Sequence, residues 1–332
     1  MPDASILHLL PWLSLILAAE FVNGWTDAPN SIATVVSTRV LHPVQALIMA
    51  TVLNALGAMS GTAVAATIGK DIVRSDVISV QTVGAAMVGI VVWSTIAWYY
   101  GLPTSESHGL VAGLAGAGLA TAGPSVLIWA GWKKVLIGLA FSTFLGFFGG
   151  LLIMIAIYRF FARSRPGAVR NIFGKLQILS ATFMAFSHGS NDGQKFIGTF
   201  TLALVLGGVL PKFQVPLWVI LLCATTMGLG TAFGGWRIIK TMGLKLTKLE
   251  PVHGFAAETS AGLAIEIAAL LGIPLSTTHT ISTSIMGVGA TRRFSAVRWG
   301  VARDIVTAWI LTFPVCAGIG WLSAFLLNRI RF

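Results

Sequence analysis

Phe21-Val-Asn-Gly-Trp-Thr-Asp27 returns 165 residues later as Phe186-Ser-His-Gly-Ser-Asn-Asp192. A second pair follows in the same order, Gly101-Leu-Pro-Thr-Ser-Glu-Ser-His108 and Gly272-Ile-Pro-Leu-Ser-Thr-Thr-His279, at an offset of 171 residues. Two motif pairs at nearly one offset divide the chain into an N-terminal repeat, 1–158, and a C-terminal repeat, 176–332, with the basic stretch 159–175 as the seam. Looser echoes agree: Gly57-x-x-x-Gly61 with Gly230-x-x-x-Gly234, and Trp132 with Trp299, each tryptophan ahead of a long apolar span.

The surroundings of these motifs are those of a membrane protein. Of 332 residues, 55% are hydrophobic and 10% charged, where soluble domains carry about 25% charged residues. The uncharged stretches Val40–Gly69, Val77–Ser105, Val135–Tyr158, Phe213–Trp236 and Ile305–Asn328 each reach the roughly 20 residues a helix needs to cross hydrocarbon. Ala4–Ala19, Leu176–Asn191 and Phe196–Pro211 are shorter, and they suit discontinuous helices. No Lys or Arg precedes the first of them, so it is expected to stay as a helix and not to act as a cleaved signal.

A net charge of +11 points first to nucleic acid, but the cations fall in loops between apolar runs, as the positive-inside bias requires. Five of them, Arg159, Arg163, Arg165, Arg170 and Lys175, occur without an acid and are expected in the cytoplasm. Membrane lipid, not nucleic acid, is the expected environment. Cys223 and Cys316 have no metal-ligand spacing and indicate no disulfide framework.

Asp27 and Asp192 carry the chemistry. A charge at the centre of a span costs about 2.5–3.5 kcal/mol or more, and two such charges at equivalent places need a function. Pro29 follows one and Gly193 the other, so the backbone is expected to unwind there. Freed carbonyls with Asn23, Asn30 and Asn191 would complete an oxygen cage for Na⁺ around Asp27 and Asp192. The plain alternative is that each aspartate caps a helix.

The second constellation is Pro103-Thr104-Ser105-Glu106-Ser107-His108, paired with Pro274-Leu275-Ser276-Thr277-Thr278-His279. Proline ends one helix and hydroxyls open the next. A helix start carries unpaired N–H groups and about half a positive charge, which suits an oxyanion. Taken singly, these hydroxyls are simple caps; taken as a pair, they can grip a tetrahedral anion from two sides. His108 and His279 donate to the anion, relay a proton or brace the turns. His188 and Lys195 flank Asp192, where either neutralises the acid or touches the anion. Glu20, Glu258, Glu266 and Asp304 also lie in or beside apolar segments; Glu258 is the strongest candidate among them, Glu20 is near enough to Asp27 to share its site, and Asp304 pairs with Arg303 at the membrane edge.

Asn23-Gly-Trp-Thr-Asp-Ala-Pro-Asn-Ser-Ile-Ala-Thr34, Ser187-His-Gly-Ser-Asn-Asp-Gly-Gln-Lys195, Pro251-Val-His-Gly-Phe-Ala-Ala-Glu258 and Pro274-Leu-Ser-Thr-Thr-His-Thr280 resemble the signatures of the inorganic phosphate transporter (PiT) family, from about Glu20 to the end of the chain. The resemblance implies an all-α integral membrane protein of about 10–12 transmembrane segments in two inverted repeats with discontinuous helices. It implies phosphate import across an inner (plasma) membrane with H⁺ or Na⁺, or as a divalent metal–phosphate complex, and it allows a homodimer. Thr104, Ser105, Ser276, Thr277, Thr278, Asn30 and Lys195 would then bind phosphate. Asp27, Asp192, Asn23, Asn191, Glu258 and Glu106 would couple the cation, supported by His108, His279, His188 and Glu20. Glu106 stands where the second repeat has Thr277; a carboxylate beside phosphate repels it unless protonated or cation-bound, which gives Glu106 a coupling role. A sulfate permease of the same family is the alternative. A passive anion channel would not need paired buried aspartates, and no His-Glu-x-x-His, Gly-x-Ser-x-Gly or P-loop supports an enzyme.

Overall fold

The computed structural model describes residues 3–329. These fold into twelve α-helices, and the described residues hold no strand beyond one isolated bridge between Val73 and Leu127. The first half supplies α1 (Asp3–Ser37), α2 (Pro43–Ala58), α3 (Ala63–Asp71), α4 (Val80–Tyr100), α5 (Glu106–Ala122) and α6 (Trp129–Phe160). The second supplies α7 (Pro166–Leu206), α8 (Leu217–Phe233), α9 (Trp236–Lys240, prolonged by a wide turn to Lys245), α10 (Pro251–Leu270), α11 (Thr277–Ala290) and α12 (Trp299–Arg329).

The halves correspond element by element. The pairs α2–α3 and α8–α9 bend by 65° and 60° at short breaks. After α4 and α10 the chain turns at Gly101 (φ 69°) and Gly272 (φ 66°), a left-handed conformation that only glycine adopts without strain. Single 3₁₀ turns, Pro124–Val126 and Phe294–Ala296, lead into α6 and α12. The same alignment places Trp129, the first residue of α6, opposite Trp299, so Trp132 is not its partner.

The direction of the two halves can be read from their ends. Ser37, Thr38 and Arg39 at the end of α1 line one surface cavity with Arg170 near the start of α7 and Arg298 just before α12. Tyr158 at the end of α6 lines the next cavity with Pro166 at the start of α7. At the opposite pole, Gly207 beyond α7 meets Leu9 near the start of α1. Equivalent helices therefore run oppositely, which makes the repeats inverted.

The inverted halves interlock. α1 packs on α8 as α7 packs on α2, and α5 packs on α12 as α11 packs on α6. Small residues permit the close approach, as in other membrane bundles. A methyl group on Gly57 would overlap the Phe186 carbonyl, and one on Gly230 would overlap the Phe21 carbonyl. Gly61 and Gly234 do other work: both lie past their helix ends, at the breaks. Gly57→Val and Gly230→Val are each expected to lower stability in detergent by about 1–3 kcal/mol, the usual cost of overpacking, read as a lower midpoint of thermal unfolding. Unchanged midpoints would contradict the interlock.

α1, α4, α6 and α12 are individually long and apolar enough to cross a membrane, and each bent pair passes that test as a unit. Val40–Gly69 is thus interrupted at 59–62 and Phe213–Trp236 at 234–235, so neither is one straight helix. The long outer helices turn Phe144, Phe148 and Leu152 on α6, and Ile310 and Leu322 on α12, outward, as a lipid-facing surface requires. The chain is a multi-pass membrane protein by this architecture.

The expected unwinding at the aspartates is not found. α1 runs unbroken through Asp27 and Pro29, and α7 runs unbroken through Asp192 and Gly193 for 41 residues. Proline at position 29 removes the N–H that would bind the Trp25 carbonyl, and Gly235, at the α8–α9 break, packs against the Pro29 ring and that same carbonyl. The neighbouring break shelters the defect and the helix continues.

Candidate functional site

Seven residues are two helical turns, so Glu20, Asp27 and Thr34 share one face of α1 at intervals of about 10 Å. Asn23, Asn30 and Ser31 widen the stripe, and all six are buried. α7 answers with Gln177, Ser180, His188, Asn191, Asp192 and Lys195, also buried. The two polar faces meet where His188 lies beside Asp27.

Both Pro/hydroxyl turns insert at that level. Ser105 accepts the His108 N–H at 3.3 Å, and Ser276 accepts the His279 N–H at 3.3 Å, so each serine caps its helix. The Ser276 hydroxyl then donates to Ser105 Oγ at 2.8 Å, locking the starts of α5 and α11 together across the two repeats. Asn191 clamps the second turn, donating to the Ile273 carbonyl and accepting from the Leu275 N–H, both at 3.2 Å. Thr104 is buried beside its turn, and its side chain makes no hydrogen bond among the described residues.

Beyond the caps, Thr277 donates to Asp192 Oδ2 at 2.9 Å and Thr278 lies 3.3–3.4 Å from both Asp27 oxygens. Asn30 donates to Thr278 at 2.9 Å. Lys195 uses all three of its donors on Asp192, on Ser107 at 2.5 Å and on the Leu275 carbonyl at 2.9 Å. In this arrangement the ammonium neutralises Asp192 and fastens the turn; it reaches an anion only by releasing one of those partners.

His188 lies between the aspartates. Its Nε2 is 3.3 Å from Asp192 and 3.9 Å from Asp27, while its Nδ1 is 3.1 Å from Asn54 Oδ1. Asn54 donates its amide to Thr231 at 3.2 Å, so its oxygen faces the ring and Nδ1 carries a hydrogen. A lone pair on Nε2 facing two carboxylates would be repelled, so this space calls for a proton or a metal cation. One atom each of Asp27, His188 and Asp192 lies within 4.8 Å of the others, close enough to share such an ion.

The remaining acids stand apart. Glu106 accepts from Thr26 at 3.0 Å, and its second oxygen has no partner among the described residues. Glu20 accepts from Asn23 at 3.1 Å. Glu258 belongs to a separate cluster, receiving Thr34 at 2.5 Å, Gln177 at 3.0 Å and Ser180. The seven-residue step from Asp27 to Thr34 puts that cluster about 10 Å from the aspartates along α1, so the structure does not bring Glu258 to them. His108 and His279 pack ring against ring at 4.4 Å between centroids, and His279 stacks on Trp309 at 3.7 Å. Asp304 is exposed and forms no ion pair among the described residues.

Sequence reasoning did not single out Thr26, Thr34, Asn54, Gln177 or Ser180, and it gave Ser107 no role of its own. For Thr34 the signal was its place seven residues beyond Asp27, and for Ser107 the run of hydroxyls it shares with Ser105. Asn54, Gln177 and Ser180 carry no local signature; only the packing of α2 and α10 on α7 brings them in.

Comparison with known proteins accords with this geometry. The chain matches the Phosphate transporter family twice, over residues 23–169 and 162–320. Proteins named "Probable low-affinity inorganic phosphate transporter" from Rhizobium meliloti and Bacillus subtilis are 44% and 40% identical to it, covering 96% and 98% of this chain and 96% and 99% of their own. A solved structure titled "The sodium-dependent phosphate transporter" superposes with a TM-score of 0.87 at 25% identity, covering 97% of this chain and 99% of the other. From the duplicated match and the near full-length relatives, the chain belongs to the phosphate transporter family.

Proposed function

We propose that this chain imports inorganic phosphate across the inner (plasma) membrane by symport with H⁺ or Na⁺, through alternating access of one central site. The observation that carries the reading is the meeting of two hydroxyl-rich helix starts, joined by Ser276 and Ser105, against two aspartates from repeat-related helices. Thr277, Thr278 and Asn30 spend their donors on Asp192, Asp27 and one another and would turn them to a tetrahedral anion on releasing those partners, while the starts of α5 and α11 supply unpaired N–H groups. Asp27, Asp192 and His188 supply the cation's place.

Coupling follows from charge. Moving a dianion inward against 100 mV costs about 4.6 kcal/mol, twice the ~2.3 kcal/mol per elementary charge, so accumulation requires co-transported cations. Between the two ions, His188 favours a proton, because an imidazole nitrogen is a poorer ligand for a hard alkali cation than oxygen is.

The test is uptake of labelled phosphate into liposomes holding the purified protein, under an imposed Na⁺ or H⁺ gradient and with excess sulfate as competitor. Gradient-driven uptake that sulfate leaves unchanged is the expected result. Uptake of sulfate in place of phosphate would move the assignment to a sulfate permease, and uptake that neither gradient affects would remove the symport.

A further inference from the structure

The cavity at the end of α1 has a volume of about 590 Å³ and gathers cations from four separate elements. Arg39 follows α1, Arg170 lies in the first turns of α7, Lys248 is in the loop before α10, and Arg298 precedes α12. Glu250 is its one acid, and that carboxylate is held 2.6 Å from Arg292. Arg39, Arg170 and Lys248 form no ion pair among the described residues. All four are exposed, so water and salt screen much of their mutual repulsion, and a bound anion would relieve the rest. A positive-inside bias explains their number on this face; it does not explain their convergence on one concavity.

A hydrogen-bond chain starts at the lining of the cavity. Thr38 lines it and donates to Gln177 at 2.9 Å; Gln177 donates to Glu258 at 3.0 Å, and Glu258 accepts from Thr34 on the face of α1 that carries Asp27. This chain of three hydrogen bonds runs from the basic vestibule to Thr34, about 10 Å short of Asp27 along α1.

We propose that this basic vestibule is a second anion site, binding a phosphate-type oxyanion apart from the buried aspartates. Arginine forks suit phosphate oxygens, and the occupant is either free phosphate or the phosphate of an anionic lipid headgroup. The proposal rests on the transport reading only for the choice of free phosphate as the soluble probe.

Equilibrium binding of labelled inorganic phosphate to the full chain in phosphatidylcholine nanodiscs tests it. The wild type is expected to bind at two classes of site. Asp192→Asn should lose the central class and keep the vestibule class, whose affinity should fall steeply with salt. Arg39→Gln/Arg170→Gln should weaken the vestibule class by about tenfold or more, while Arg39→Lys/Arg170→Lys, which keeps the charge but loses the fork, should weaken it less. Suppression of that class in phosphatidylglycerol nanodiscs would assign the site to lipid headgroups, and persistence would assign it to free phosphate. A vestibule class without a central class in the wild type would sink the transport reading and leave this site standing. Binding unchanged by Arg39→Gln/Arg170→Gln, or absent altogether from Asp192→Asn, would overturn the proposal.

Discussion

Asp192→Asn should reduce gradient-driven phosphate uptake by two to three orders of magnitude. Asp192 neutralises a lysine that is 1% exposed and receives Thr277 from the second turn. Removing one member of a buried ion pair costs about 3–5 kcal/mol, because the other charge is left uncompensated, and a tenfold change corresponds to about 1.4 kcal/mol. Part of that loss falls on the fold, so Asp192→Asn/Lys195→Met is the informative companion. With both charges gone the bundle should regain its thermal stability, yet uptake should stay lost, since the cation's carboxylate is still missing. Recovery of uptake in the double variant would make the pair structural only.

Asp27→Asn should act differently. Asp27 is held by Thr278 at 3.3–3.4 Å and faces His188 at 3.9 Å, without a lysine of its own. Its loss leaves no stranded ammonium, so folding should be nearly normal. Losing one charged ligand should raise the cation concentration for half-maximal uptake by roughly 10–100-fold. Uptake at ordinary cation concentrations in Asp27→Asn would remove Asp27 from the cation's site.

These two aspartates were legible in the sequence because burial of charge is costly and duplication marks it twice. The Pro/hydroxyl turns were legible for the same reason, and so were the inverted halves once the family resemblance was added. The path of the backbone was less so. Pro29 and Gly193 read locally as breaks, whereas the true breaks fall at residues 59–62 and 234–235, and only the seating of Gly235 on Pro29 shows why α1 survives. Local propensity cannot report such a contact between distant segments.

The same limit applies to the site. Ser105 and Ser276 read singly as caps and as a pair as anion ligands; the structure shows them capping and also bonded to each other, leaving Thr277 and Thr278 beside the aspartates. Lys195 was visible as the i+3 neighbour of Asp192, but its grip on Ser107 and Leu275 was not. Glu258 read as the strongest of the further intramembrane acids, and its bond to Thr34, two turns beyond Asp27 on α1, depends on how α10 packs against α7.

The most direct test of the central site is a structure determined with arsenate, a tetrahedral stand-in for phosphate whose anomalous scattering marks its position. The account predicts an arsenic peak between the starts of α5 and α11, within hydrogen-bonding reach of Thr277 and Thr278. An occupied chain with no peak there, and with arsenate only in the basic vestibule or on the surface, would contradict it.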